Sequence, residues 1–301
     1  MSLLEIRTIR KDPINLSNQD GWVYNRMIGS KSKYGEVWMV DILGDIIAIK
    51  KIPMTRYDIK IGLRKSTPSE FLTMKRSIWV ELFFLKKCEL LVRKNVCPGF
   101  ILIFFDEIKE ETTFHNPKLS QMNGSNCMMI GMELAKTDLN DFGSIKKQTA
   151  EWVGIVFQIL FAVLTYQKHL KICHNDLHWG NVLIHEVVER DDTKPRYLLY
   201  EYKNTQFHVP FFGYLCVVID FGFVTKLTRE NMMKDVRRIS HLNKWINQFY
   251  NMSDRFLDEF HSKSNLVESV WDLLKGLKKH LPGEVSEESI YDRFLIDRSI
   301  K

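Results

Sequence analysis

The chain has 301 residues, of which 45% are hydrophobic and 27% are charged, and its formal net charge is +6. This length and composition predict one large globular domain or two smaller lobes, and they exclude a disordered or low-complexity protein. The excess of lysine and arginine is small and dispersed, so we expect a solvated surface and no nucleic-acid partner.

The cysteines and the apolar runs indicate the protein's environment. Five cysteines without regular spacing argue against a disulfide framework and favour a reducing, intracellular location, either cytoplasm or nucleus. Charged residues interrupt the N-terminus, so no signal peptide is expected. The longest apolar run, Val153–Tyr166, is too short to cross a bilayer, so it predicts a buried helix and no membrane span. No pattern specifies an oligomeric state.

The first part of the chain is predicted to be rich in strands. A leucine-containing amphipathic pattern with a proline near its start predicts one helix, Pro68–Lys94. Short runs of β-branched, aromatic and other apolar residues predict five strands around it: Val23–Ile28, Glu36–Ile42, Ile46–Ile52, Phe100–Phe105 and Cys127–Leu134.

After Leu134 the pattern is mainly helical. A long apolar helix is predicted at Glu151–Leu170, and three more helices close the chain, at Glu230–Tyr250, Arg255–His280 and Glu287–Phe294. Between them lie four strand-like runs, of which the middle two belong to an insertion: Val182–Ile184, Tyr197–Tyr202, Phe207–Val209 and Leu215–Ile219. We therefore expect an α+β fold with a small β-rich lobe (1–134), a mainly helical lobe (135–301) and a hinge at about 133–138.

Two motifs in the second half carry the strongest chemical signal. The run from His174 to Asn181 lies between the long helix and a short strand, and Asp176 within it can accept or orient a hydroxyl proton. Asn181, five residues after Asp176, and Asp220, at the end of an apolar run before Phe221-Gly222, supply oxygen ligands for Mg²⁺. In this order, the two motifs predict phosphoryl transfer.

The histidines of the first motif have a second reading. His174 and His178 have the i, i+4 spacing of a helical zinc pair, but no third ligand follows at a suitable distance. We expect His174 to pack inside the protein and to bond the backbone.

A lysine and a glutamate in the first half fit the same chemistry. Lys50 ends a strand fifteen residues after Gly35, where an ammonium group can contact the α- and β-phosphates. Lys51 points to the opposite strand face and is expected to be solvated. Two glutamates compete as the partner of Lys50. Glu81, deep in the amphipathic run, is favoured over Glu70, whose position near the helix start is explained by the helix dipole.

The segment from Gly29 to Val37 is the weakest match. It keeps an early glycine and a late one, Gly35, but it lacks a middle glycine, and by itself it would be an ordinary hairpin turn. Its position before Lys50 favours a phosphate-covering loop.

Taken together, residues 22–250 resemble the eukaryotic-type protein kinase superfamily, and the run Asp176–Leu183 is similar to haspin-type kinases, including relatives encoded by large DNA viruses. In that branch a histidine, here His178, replaces the lysine that usually follows the catalytic aspartate by two residues. The resemblance implies a serine/threonine protein kinase that uses ATP and Mg²⁺, or Mn²⁺ in its place, acts on a protein substrate, and works in a host cell or virion if it is viral. It implies catalytic roles for Asp176, Lys50, Asn181, Glu81 and His178, metal binding by Asn181 and Asp220, and nucleotide binding by Gly29, Gly35, Val37, Ala48, Lys50, Met132 (as gatekeeper), Glu133, Ala135 and Asp138.

Three departures from that family pattern matter. Asn175 replaces the arginine that usually precedes the catalytic aspartate, the stretch from Gly222 to Asp235 is short, and an insertion at about Glu186–Tyr214 separates the two motifs. A neutral asparagine cannot pair with a phosphate as arginine does. We therefore predict activity without phosphorylation of the activation segment, and a reduced platform for peptide substrates.

Two other functions compete with a protein kinase. The loop around Asp176 is also similar to that of small-molecule kinases of the choline or aminoglycoside type. The irregular glycine loop suggests a pseudokinase that binds nucleotide without catalysis, although the four key side chains, Lys50, Asp176, Asn181 and Asp220, are all present.

Overall fold

A computed structural model describes residues 22–28, 35–62, 70, 72, 78–110, 114–115, 119, 126–144, 147–187, 196–241 and 255–298. The architecture is α+β, as predicted. An antiparallel five-stranded sheet comes first and is followed by a larger, helix-centred part that carries three small sheets.

The five-stranded sheet has the order β1-β2-β3-β5-β4. Its strands are β1 (Trp22–Ile28), β2 (Glu36–Ile42), β3 (Asp45–Met54), β4 (Ile103–Glu110) and β5 (Asn126–Glu133). Strands β2 and β3 form a hairpin because Leu43 and Gly44 both adopt positive φ, at 56° and 97°, which suits a two-residue turn. The observed fourth strand starts three residues later than predicted, since Leu102 turns its backbone N–H toward the side chain of Glu133 (3.0 Å).

Two helices accompany this sheet, α1 (Arg56–Gly62) and α2 (Ile78–Arg93). Helix α2 occupies the second part of the predicted helix Pro68–Lys94, and most of residues 68–77 lie outside the described residues. Its buried side includes Leu82, Leu85 and Leu91, which pack into the main core.

The second part is built around the long helix α4 (Thr149–Leu170), which follows strand β6 (Thr137–Asp138) and the short helix α3 (Leu139–Gly143). Helix α4 is long and apolar enough to cross a membrane, but 89% of its most apolar window is buried inside the protein. This confirms the prediction of a buried core helix.

Short strands flank the two motifs of the second half. Their bounds are β7 (Ile172–Cys173), β8 (Val182–Glu186), β9 (Arg196–Tyr202), β10 (Thr205–Phe211), β11 (Tyr214–Val218) and β12 (Thr225–Lys226). Strands β8 and β11 pair antiparallel, and so the segments that carry Asn181 and Asp220 start from adjacent strand ends. Strands β9 and β10 form the inserted hairpin, whose turn residues Lys203 and Asn204 have positive φ.

The last helices are α5 (Lys234–Ser240), α6 (Arg255–Leu266) and α7 (Val270–Leu277). Helix α5 covers part of the predicted Glu230–Tyr250, of which residues 242–250 lie outside the described residues. The single helix predicted at Arg255–His280 is wrong. Two helices occupy it, because the Ser269 hydroxyl accepts from the Asp272 N–H (3.1 Å) and starts a new helix.

The helix predicted at Glu287–Phe294 is also wrong. A 3₁₀ turn at Glu287–Ser289 leads into strand β13 (Ile290–Leu295), which pairs parallel with β9 of the insertion. The open edge of β9 and the tilted ring contact between Phe294 and Tyr200, with ring centroids 5.3 Å apart, override the local helical pattern.

Candidate active site

Lys50 and Glu81 form a buried ion pair between the sheet and helix α2. The Lys50 ammonium donates to Glu81 Oε1, and the two side chains are only 14% and 9% exposed. Glu81, rather than Glu70, is therefore the glutamate that meets Lys50. Lys51 was expected to be solvated, and this is wrong: it is 7% exposed, because the ring of Tyr24 on β1 covers its ammonium group at 4.7 Å.

Asp220 brings a second carboxylate to Lys50. It follows β11 in a left-handed conformation, with φ of 63°, which aspartate tolerates better than most residues. Its Oδ1 lies 4.0 Å from Lys50 Nζ. Burial alone would lower the pKa of Lys50, but the carboxylates of Glu81 and Asp220 outweigh burial and raise that pKa above its usual value. Lys50 therefore remains a cation at the meeting point of three elements.

The loop of Asp176 and Asn181 is tied internally and to the strand before Asp220. Asn181 Nδ2 donates to the carbonyl of Asp176 at 2.9 Å, and the Ile219 N–H donates to the Asn181 carbonyl at 3.1 Å. The fully buried His174 accepts from the Asp176 N–H (3.3 Å) and contacts the Ile219 carbonyl through Nε2 (2.8 Å). Burial lowers the pKa of His174. His174 thus packs inside and bonds the backbone, as predicted.

His178 lies at the exposed end of this loop. Its Nδ1 accepts from the Gly180 N–H at 3.1 Å, and it caps the 3₁₀ turn Trp179–Asn181. That turn carries Asn181 toward Asp176.

A buried aspartate that the sequence analysis missed, Asp235, binds the backbone of the loop that contains Asp176. Asp235 of α5 is fully buried, and its carboxylate accepts from the backbone N–H groups of His174 (2.8 Å) and Asn175 (2.9 Å) and from the Tyr166 hydroxyl (2.9 Å). Burial, and then Asp235, raise the pKa of Tyr166 well above its usual range. A signal existed in the sequence, since Asp235 lies four residues before the buried Ile239, on the apolar side of the predicted helix.

Asn175 ties the loop of Asp176 to the segment after Gly222. Its backbone has a φ of 64°, which asparagine tolerates, and its Nδ2 donates to Thr225 Oγ1 (2.7 Å) and the Phe223 carbonyl (3.1 Å). Lys234 donates to Asn175 Oδ1 at 2.9 Å. Neutral hydrogen bonds and one ammonium group thus tie this segment to the loop of Asp176.

Other predicted nucleotide-binding residues line the sheet and the connection after β5. In the strand register, Val37 is opposite Lys50, and Ala48 is opposite Met132. At Gly35, a Cβ would lie 2.6 Å from the Lys51 carbonyl, so only glycine fits this close approach. Gly29 lies outside the described residues.

The hinge positions have definite backbone and side-chain partners. Glu133 donates its N–H to the Leu102 carbonyl (3.1 Å). Ala135 lies outside the regular strands and is partly exposed. Asp138 caps helix α3, where its Oδ1 accepts from the Asp141 N–H at 3.0 Å.

Comparison with known proteins identifies the group to which these features belong. Residues 2–223 match the model of the haspin-like kinase domain. The chain belongs to that family. It is also 34% identical over 97 residues to the uncharacterized protein 098R of Invertebrate iridescent virus 6. That alignment covers 31% of this chain and 14% of the viral protein. The resemblance to haspin-type kinases and their viral relatives is thereby confirmed.

A haspin-like kinase fold implies ATP and a divalent cation, and the residues present fit both. Because Asn181 donates through Nδ2 to the Asp176 carbonyl, its Oδ1 is an acceptor, and Asn181 and Asp220 therefore both offer the oxygen ligands that Mg²⁺ prefers. At Gly222 a Cβ would lie 3.4 Å from Asp220 Oδ1 and 4.0 Å from Glu81 Oε2, so glycine keeps this space open. Among the described residues no cluster of three His, Cys, Asp or Glu side chains forms a closed metal site.

Proposed function

We propose that this chain transfers the γ-phosphoryl group of ATP to serine or threonine hydroxyls of a protein substrate. One observation carries the proposal: Lys50 pairs with Glu81, and Asp220 Oδ1 lies 4.0 Å from the same ammonium group. Residues from β3, α2 and the loop after β11 thus converge on one cation, and Asp220 lies more than a hundred positions from the other two in the chain. Such a cluster is suited to nucleotide phosphates.

The proposed roles follow from these contacts. Lys50, fixed by Glu81, would hold the α- and β-phosphates, and Asp176 would accept or orient the proton of the attacking hydroxyl. Asp220 and Asn181 would hold Mg²⁺, which when bound would neutralise charge on the phosphates. The nucleotide would lie against Gly35, Val37, Ala48 and Met132, with the backbones of Glu133 and Ala135 bonding the adenine and Asp138 the ribose.

We also propose that the enzyme needs no phosphate on its activation segment. The support is the hydrogen-bond set of Asn175, whose amide reaches Thr225 and Phe223 while Lys234 bonds its oxygen. Nothing in this set requires a negative charge. The double variant Thr225→Val, Thr228→Ala removes the hydrogen bonds that Thr225 Oγ1 accepts from Asn175 and Asn231 and the one that Thr228 Oγ1 accepts from the Asn231 N–H. These bonds are neutral and contribute about 1 kcal/mol each to folding, so kcat should stay within about fivefold of wild type. Activity that appears only after phosphorylation of either threonine would contradict this proposal.

The decisive experiment is a phosphotransfer assay on the purified chain. Labelled ATP would be supplied with Mg²⁺ or Mn²⁺, and casein, histone and choline would be offered as acceptors. We expect label on protein, and on serine or threonine in phosphoamino-acid analysis. Asp220→Asn and Asp176→Ala should abolish transfer, while the exposed control Asp141→Asn should not. Label on choline alone would indicate a small-molecule kinase. Thermal stabilisation by Mg·ATP without turnover would indicate a pseudokinase.

A further inference from the structure

An arginine from helix α5 reaches the residue proposed to receive the hydroxyl proton. Arg238 Nη1 lies 3.4 Å from Asp176 Oδ1, and the same nitrogen donates to the Asn175 backbone carbonyl. Among the described residues, Arg238 is the cation within ion-pair distance of Asp176. No motif in the sequence connects these two residues, which are 62 positions apart.

The position of Arg238 is set by Asp235. The two residues lie one helical turn apart, so their side chains leave α5 on the same side. Asp235 binds the N–H groups of His174 and Asn175, while Arg238 binds the carbonyl of Asn175 and the carboxylate of Asp176. One turn of helix thus offers an anion to the loop's donors and a cation to its acceptors.

His178 makes a different contact. Its Nδ1 accepts the Gly180 N–H at 3.1 Å and caps the turn Trp179–Asn181. Arg238 is the side chain that brings a cation to the carboxylate of Asp176.

We propose that Arg238 is a positioning residue for phosphoryl transfer. It holds the Asp176 carboxylate in one orientation toward the acceptor hydroxyl and provides a permanent positive charge at the edge of the reacting centre. This inference rests on the proposed kinase activity. The side chains of Arg238 and Asp176 are 41% and 37% exposed, so water screens the pair and it adds little to folding stability. Its effect should therefore appear in kcat.

The test compares Arg238→Met, Arg238→Lys and a matched control, Arg237→Met. Arg237 is an exposed arginine on the same helix, and its Nε contacts the Ser264 carbonyl (3.4 Å) rather than the catalytic loop. We expect Arg238→Met to lower kcat on the order of 10- to 100-fold, with the KM for ATP changed less than about twofold. Arg238→Lys should recover part of kcat, since the charge is kept and the planar fork is lost. Arg237→Met should change kcat by less than about twofold.

Two further readouts separate positioning from a purely structural role. In an Asp176→Asn background, Arg238→Met should lower the residual rate by less than about threefold, because the two residues act as a unit. Methylguanidinium should partly restore kcat in Arg238→Ala, whose melting temperature should stay within about 3 °C of wild type.

The proposal is overturned if kcat of Arg238→Met stays within twofold of wild type, or if the loss is as large in the Asp176→Asn background. It is also overturned if all three Arg238 variants lose activity only in proportion to lost folded protein. A wild-type chain that transfers no phosphate would instead reject the proposed function, and this inference with it.

Discussion

Asp235 offers the sharpest test of how the catalytic loop is built. Its carboxylate is fully buried, with Oδ2 accepting from the His174 N–H and the Tyr166 hydroxyl and Oδ1 accepting from the Asn175 N–H. An Asp235→Asn variant can keep its oxygen at the Oδ2 position, but its new NH₂ group then faces the Asn175 N–H. One charge-assisted hydrogen bond is lost and two donors oppose each other, which costs about 2–3 kcal/mol. An Asp235→Ala variant leaves all these donors unpaired and should cost about 4–5 kcal/mol.

Thermal unfolding and steady-state kinetics together measure this effect. At about 2 °C per kcal/mol for a domain of this size, Asp235→Asn should lower the melting temperature by about 5 °C. It should also lower kcat, because the backbone N–H that loses its acceptor belongs to Asn175, the residue next to Asp176. Tyr166→Phe removes one of the same hydrogen bonds and should cost about 1 kcal/mol. The double variant of Tyr166→Phe with Asp235→Ala should cost less than the sum of the two, since both changes remove the same Tyr166–Asp235 hydrogen bond.

The exposed Asp141 provides the matched control, and Asp141→Asn should cost less than about 1 kcal/mol. The reasoning is refuted if Asp235→Asn melts within 1 °C of wild type, or if the Tyr166 and Asp235 effects are additive.

Three other predictions follow from single contacts. Glu81→Gln replaces the carboxylate that fixes Lys50 with a neutral amide, and kcat/KM for ATP should fall on the order of 10- to 100-fold. Burial lowers the pKa of His174, so its contribution to stability is complete above about pH 6.5 and is lost as pH falls below it, by at most about 1.4 kcal/mol per pH unit. His174→Gln should remove that part of the slope of melting temperature between pH 7.5 and 5.5. Gly154→Ala would place a Cβ 2.4 Å from the Pro210 carbonyl and should destabilise by about 1–3 kcal/mol in chemical denaturation, despite better helix propensity.

Each of these has an outcome that contradicts it. Unchanged kinetics in Glu81→Gln would mean that the ion pair does not position Lys50. An equally steep pH dependence without His174 would assign the acid sensitivity to other groups. For the glycine, Gly276→Ala in α7 is the control: a Cβ there meets only the flexible side chain of Lys263, at 3.3 Å, so this variant should be neutral or stabilising. Gly154→Ala should instead lower the free energy of unfolding.

The predictions that held depended on short stretches of chain. The strand Glu36–Ile42 has the bounds that were predicted, because a short run of β-branched, aromatic and other apolar residues is a local property of the sequence. The choice of Glu81 as the partner of Lys50 rested on its place in an amphipathic run, and that run sets which side of α2 faces the sheet.

The predictions that failed depended on contacts between distant segments. Residues 290–295 have a helical pattern, yet they form a strand because β9 of the insertion offers an open edge. Lys51 alternates away from Lys50 as predicted, but β1 covers that face with Tyr24. Neither the open edge of β9 nor the covering ring of Tyr24 can be inferred from the local sequence around residues 290–295 or around Lys51.

The sequence alone determined the inventory of the site: a lysine at the end of a strand, a helical glutamate, and two loops that each deliver an aspartate. These features follow from periodicity and from residue types at short spacing, which are local properties of the sequence and do not depend on tertiary contacts. The tertiary structure alone decided which groups surround them, such as Asp235 beneath the backbone of His174 and Arg238 beside Asp176. The physical reason is that a buried carboxylate or a paired arginine is stabilised by partners about sixty residues away in the chain. The local sequence around such a residue does not indicate which distant residue will be its partner.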